Sequence, residues 1–168
     1  MAFVTELDKL KGVLRRTSPI GLDRRENSAE HSWQVVLCAL ILAEHAAEPI
    51  DILKVIKMLA LHDTVEIDVG DTFHYDKAAQ TDLHEREAKA ADRLFALLPE
   101  EQGRDLKALW EEFEAKQTPE SRFAAGLDRM MPFVLNFHNQ GGTWLEYGLT
   151  KEQVLSVNWE IEAGLPEL

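Results

Sequence analysis

The chain has 168 residues, 45% hydrophobic and 29% charged, the balance of a globular protein long enough to bury one full core. Its net charge of −12 excludes general affinity for nucleic-acid polymers or anionic membranes, but not for a small phosphorylated ligand held by a metal and one or two arginines. The single cysteine, Cys38, lies in an apolar run, which excludes an intrachain disulfide and reads as a small buried hydrophobe. No apolar stretch is long enough to cross a bilayer, and MAFVTELDKLKG carries acids where a secretory leader would be basic. The expectation is a cytoplasmic protein folded as one domain over residues 1–168.

Apolar residues recur at helical spacing along nearly the whole chain, and alternating strands are absent. A first helix is predicted over residues 3–14, followed by RRTSPIGLDRREN, a Pro-, Gly- and Arg-rich loop. Asn27 and Glu30 have capping-box spacing and open a second helix over AEHSWQVVLCALILAEHA. A third helix is predicted over 52–62, with room to reach 67, and VGDTFHYDKAAQ reads as a connecting loop. Helices over 83–98 and 101–115 follow. Thr118-Pro119 then starts a sixth that continues to 138, with a bend expected at Pro132. NQGGTW reads as a flexible loop, and Thr150 with Gln153 caps a last helix through Trp159. The expected fold is all-α, a compact single-domain bundle of about six or seven helices.

Steps of i, i+4, i+7 and i+11 along the second helix give His31, Val35, Cys38 and Leu42, so a histidine heads an inward stripe. The third helix gives Val55, Leu59, His62 and Glu66, and the sixth gives Ala124, Asp128, Met131 and Leu135. Asp63 adjoins His62 at the end of a strongly apolar run. Each residue also has a bland reading. His31 can be a hydrogen-bonded core histidine, Asp128 can pair with Arg129 or Arg122, and Glu66 can be a helix-end surface residue. Buried together, these polar groups are costly unless something binds them, and imidazoles with carboxylates are the usual donors to a divalent metal.

The order His31 … His62-Asp63 … Asp128 resembles the H…HD…D signature of the HD-domain metal-dependent phosphohydrolases. ENSAEHSWQ around His31, HDTVEIDVGD from His62 to Asp71, and LWEEFEAKQTPESRFAAGLDRM around Asp128 are similar to its 5′-deoxynucleotidase branch. The resemblance implies that His31, His62, Asp63 and Asp128 hold one divalent metal, drawn from Mn, Co, Fe, Mg or Zn. It further implies that Glu66 orients or deprotonates the attacking water, that Asp71 contacts the sugar or base side of a nucleotide, and that Arg16 faces the phosphate. The family often follows that arginine with a tryptophan, whereas Thr17 and Ser18-Pro19 follow here.

On this reading the chain hydrolyses the phosphate monoester of a deoxynucleoside 5′-monophosphate, with a small-molecule nucleotide as its partner. The rival readings are another HD-type nucleotide phosphodiesterase or triphosphohydrolase, and a non-catalytic module that senses a nucleotide or metal. Glu66 separates them, since a pure binding module has no need of a carboxylate one turn beyond the ligands. Among the remaining histidines, His84 is expected to face solvent and His74 to sit near the mouth of the site. Phe73 and Tyr75 either stack on a base or pack in the core. Trp33, Trp110, Trp144 and Trp159 read as core or interface anchors, and the branch resemblance together with Trp144 suggests a homodimer.

Overall fold

The computed structural model describes residues 1–76, 78–157 and 159–167. Among these residues the regular structure is helical, and the β-type pairing is an isolated antiparallel bridge between Leu14 and Asn27. The first predicted helix stops early: α1 covers Ala2–Leu7 and tightens into a 3-10 turn over Asp8–Gly12. From Val13 the backbone is extended. The Arg15 N–H donates to the Glu26 carbonyl (2.8 Å), the Glu26 N–H to Thr17 (2.9 Å) and the Ser28 N–H to Val13 (3.0 Å). These cross-loop bonds satisfy backbone groups that a continued helix would have satisfied internally, so the helix yields to them.

Helix α2 (Ser28–Leu42) opens with the capping box read from the sequence: the Asn27 side chain accepts the Glu30 N–H at 3.0 Å and Glu30 accepts the Asn27 N–H at 2.7 Å. It ends in a 3-10 turn over Ala43–His45, a turn short of the prediction. Helix α3 (Ile52–Leu61) is capped by Asp51. It does not run on to residue 67 as one helix. The backbone tightens into a 3-10 turn over His62–Val65, resumes as α4 (Glu66–Val69) and turns away at Gly70, whose φ of 74° suits glycine.

Helices α5 (Leu83–Phe95) and α6 (Glu100–Ala115) precede α7 (Pro119–His138), which continues through Pro132. The proline ring leaves the Asp128 carbonyl without its usual helical donor. The NQGGTW segment holds a short helix, α8 (Gly142–Glu146), entered through Gly141 at φ 98°, and five residues are too few to show periodicity. The last predicted helix divides into α9 (Lys151–Ser156), capped by Thr150 and Gln153, and α10 (Trp159–Gly164). Asn158, within that predicted helix, and Lys77, within the predicted 69–80 loop, lie outside the described residues.

Helices α2, α3 and α7 pack around Val35, Leu59, Phe123 and Leu127, each side chain removed from water and contributing about 1.5–3 kcal/mol. A second cluster of Leu61, Val65, Leu94 and Trp110 ties the end of α3 to α5 and α6. Helix α10 crosses α7 where both carry glycine. A Cβ on Gly126 would stand 3.0 Å from the Glu160 carbonyl, and one on Gly164 would collide with the Arg122 backbone. No helix among the described residues is long and apolar enough to cross a membrane.

Candidate metal centre

The three stripes meet at one buried point. His62 Nδ1 lies 2.8 Å from the Leu59 carbonyl, and since a carbonyl only accepts, that nitrogen carries the proton of the neutral ring. The opposite nitrogen, Nε2, is then the one that presents a lone pair whenever the ring is neutral, and it is buried without a hydrogen-bond partner. It faces Asp63 Oδ1 at 3.1 Å, misaligned for a hydrogen bond, and Asp128 Oδ1 at 3.6 Å. From α2, His31 Nε2 reaches the same Asp128 oxygen at 2.8 Å. One donor atom from each of His31, His62 and Asp63 lies within 4.8 Å of the others.

The electrostatics of this point call for a cation. Burial lowers the pKa of the His62 ring, but Asp63 and Asp128 outweigh it and push it up to about 9. Burial likewise opposes ionisation of Asp128, yet the hydrogen bond to His31 and the nearby His62 ring hold it well below the usual carboxylate range. Two imidazoles and two carboxylates around an orphaned buried nitrogen are a donor set that fits one divalent metal. Of the arginines near Asp128 in sequence, Arg129 pairs with Glu160 at 3.2 Å and Arg122 with Glu48, and the arginine that does approach it is Arg15, at 3.8 Å.

The nearby carboxylates are distinct in their surroundings. Glu66 Oε2 accepts the Ser28 hydroxyl at 2.5 Å, and burial followed by the charge of Asp63 holds Glu66 well above its ordinary pKa. Asp71 is also raised, by burial first. Both line a cavity of about 260 Å³ that opens beside His62, Asp63 and Asp128. Arg16 lines the same cavity from an exposed position, its Nη1 3.3 Å from the Tyr147 hydroxyl.

Sequence reasoning passed over two residues that the geometry brings in. Arg15 Nη1 lies 2.8 Å from Asp63 and 4.0 Å from Asp71, and Nη2 lies 3.8 Å from Asp128. Glu26, fully buried, sets Oε2 3.6 Å from His31 Nδ1 and 3.6 Å from Arg15 Nε, and accepts the Thr17 hydroxyl at 3.0 Å. The signal for Arg15 is the period of two in an extended segment, where Leu14 and Arg16 face out while Arg15 and Thr17 face in. It was hidden because nothing in RRTSPIGLDRREN declares the segment extended. His84 is exposed, and His74 and Trp144 line the cavity, the latter from α8 rather than from a free loop.

A family model described as HD domain matches residues 7–168. The chain belongs to the HD-domain family. Among proteins similar to this HD domain is the 5′-deoxynucleotidase HDDC2 of Bos taurus, 29% identical over 126 residues that cover 72% of this chain and 60% of that protein. The HDDC2 of Homo sapiens is 27% identical over the same shares. The chain thus spans about three-fifths of the length of the curated relatives it matches. A solved structure from Magnetospirillum magnetotacticum MS-1, named a predicted metal-dependent phosphohydrolase, superposes with a TM-score of 0.93 at 49% identity, covering 99% of this chain and 83% of that one. A Listeria innocua structure named an HD-domain phosphohydrolase shares the fold, at a TM-score of 0.66 and 18% identity over 95% of this chain and 76% of that one.

Proposed function

We propose that this HD domain, acting as a single unit over residues 1–168, hydrolyses deoxynucleoside 5′-monophosphates to nucleoside and phosphate. The observation that carries the reading is the buried, unpartnered His62 Nε2 facing Asp63 and Asp128, with His31 arriving from a separate helix. The names of the curated relatives and of the Magnetospirillum structure support the same chemistry. In this reading His31, His62, Asp63 and Asp128 hold one divalent ion, Mn, Co, Fe, Mg or Zn. When bound, that ion neutralises phosphate charge and lowers the pKa of a bound water towards neutrality.

Glu66 then takes a proton from the attacking water, a role suited to a carboxylate whose basicity burial and the charge of Asp63 raise. Ser28 fixes one of its oxygens and so aims the other. The water oxygen bonds to phosphorus, the bond to the 5′ oxygen breaks, and that oxygen takes up a proton to become the nucleoside hydroxyl, balanced by the proton that Glu66 removed from the water and returns. Arg15, already between Asp63 and Asp71, offers its guanidinium fork to the phosphate oxygens, and Arg16 adds positive charge at the cavity wall. Asp71 accepts a hydrogen bond from the sugar. A cytoplasmic homodimer completes the proposal. The exposed apolar face of α2, with Trp33, Leu37, Leu40 and Ile41, supports the dimer, and light scattering tests it.

The test of function pairs metal analysis of the purified protein with phosphate release from a panel of nucleotides, each divalent ion added in turn. Release from deoxynucleoside monophosphates is expected. Release from triphosphates alone would make it a triphosphohydrolase. Tight nucleotide binding with no release from any substrate would make it a sensing module.

A further inference from the structure

A second stretch of the cavity wall is aromatic. Phe73 and Tyr75 come from the loop after α4, Phe133 from α7 and Trp144 from α8, and all four line the cavity that opens beside His62 and Asp128. Phe73 and Tyr75 have ring centroids 5.2 Å apart, as do Phe133 and Trp144, and the Tyr75 phenol lies beside Trp144. All four side chains are half-buried, unlike Trp110, which the core closes over. Four large rings kept partly open on one cavity are not explained by core packing, which would bury them.

The wall is also fixed relative to the metal centre. Arg129, next to Asp128, donates to His74 Nδ1 at 3.0 Å and so pins the residue between Phe73 and Tyr75 to α7. Buried Glu160 holds Arg129 at 3.2 Å and Lys116 at 2.6 Å, which stiffens the anchor from behind. Phe133 lies on the same helix as Asp128, about one and a half turns further on, and both line the cavity. On the other side, Thr17 is buried against Glu26 and presents no ring.

We infer that Phe73, Tyr75, Phe133 and Trp144 hold the nucleobase of the substrate by stacking, an inference that rests on the proposed nucleotide hydrolysis. Stacking reads the flat face that every base has, so the site tolerates different bases yet depends on having one. The experiment compares kcat/KM for a deoxynucleoside 5′-monophosphate with that for deoxyribose 5-phosphate, which keeps the ester and lacks the base. The ratio is expected to be about tenfold or more in the parent and to fall towards one in Phe73→Ala and Trp144→Leu, with Phe73→Trp restoring it. Calorimetry of nucleotide binding to the metal-stripped protein should weaken in the same two variants. Equal rates on the two substrates in the parent, or a ratio untouched by both variants, overturns the base wall while leaving the hydrolysis standing. No hydrolysis of either substrate overturns the proposed function, and the base wall falls with it.

Discussion

The two sides of the cavity are built by different means. One side is helical: His31, His62 and Asp128 project from α2, the end of α3 and α7, and each sits in a stripe whose other members are core residues such as Val35, Leu59 and Met131. The other side is irregular: Arg15, Arg16, Phe73 and His74 come from the segments before α2 and after α4, held by cross-loop hydrogen bonds and by Arg129. On the helical side, packing fixes the donors before any ligand arrives. On the irregular side, a few polar contacts do so, and each contact is separately breakable. In the proposed reading, metal binding and water activation therefore belong to the first side, and contacts to the rest of the substrate to the second.

The largest effects are expected on the helical side, where two substitutions separate metal from chemistry. His62→Ala removes a donor and should abolish both metal content and turnover. Glu66→Ala should keep the metal and lose about two to four orders of magnitude in kcat, the usual worth of a general base. Metal analysis beside single-turnover kinetics distinguishes the two patterns, and a fully active Glu66→Ala protein would remove Glu66 from the reaction.

What could be read from the sequence follows the same division. The helical stripes announce themselves because the α-helix has a fixed period, so His31, His62 and Asp128 can be assigned to inward faces without knowing how the helices pack. The capping boxes at Asn27, Thr118 and Thr150 are legible for the same reason, since each is a local hydrogen-bond pattern with set spacing. Arg15 and Glu26 carry no such mark. Their inward placement depends on the ladder between residues 13–17 and 26–28, a pairing across a loop that no local periodicity encodes. The break of α3 into a 3-10 turn at His62 is likewise hidden, because the apolar pattern runs on past it. The helical setting of Trp144 leaves no periodic mark either, because α8 is little more than one turn long and starts on glycine.

Glu26 joins the two sides, and a substitution there is expected to have an intermediate effect. Its carboxylate accepts the Thr17 hydroxyl and faces His31 Nδ1 from 3.6 Å, a ring nitrogen buried without a hydrogen-bond partner, so Glu26 is placed to orient this proposed donor once the two draw together. A carboxylate hydrogen-bonded to a ligating histidine typically contributes ten- to a hundredfold in metal affinity. Glu26→Gln keeps the size and the contact with Thr17 but loses the charge. Titration with Mn²⁺ or Co²⁺ should show weaker binding by about tenfold or more, with kcat at saturating metal changed far less. A metal affinity equal to that of the parent would reduce Glu26 to a partner of Thr17 and Arg15.

The smallest expected effect concerns stability rather than turnover and lies on the cavity wall formed by α5 and α6. Glu87 is pushed up to about 7, by burial first and then by the charge of Glu114, with Arg86 and Lys116 opposing. An ordinary glutamate titrates near 4.5, so between that pH and 7 the folded chain binds a proton at Glu87 that the unfolded chain has released. The stability this proton provides is fully present below pH 4.5 and is lost as the pH rises through 7. The full difference would be about 1.4 kcal/mol for each pH unit between the two values, and the half-buried position of Glu87 lowers the expectation to about 1–2 kcal/mol. Glu87→Gln cannot ionise, so it should be more stable than the parent by that amount at pH 8 and nearly equal to it at pH 4.5. Urea unfolding at the two pH values measures the difference directly. A gain of the same size at both would trace the effect to packing and remove ionisation of this wall from the stability of the fold.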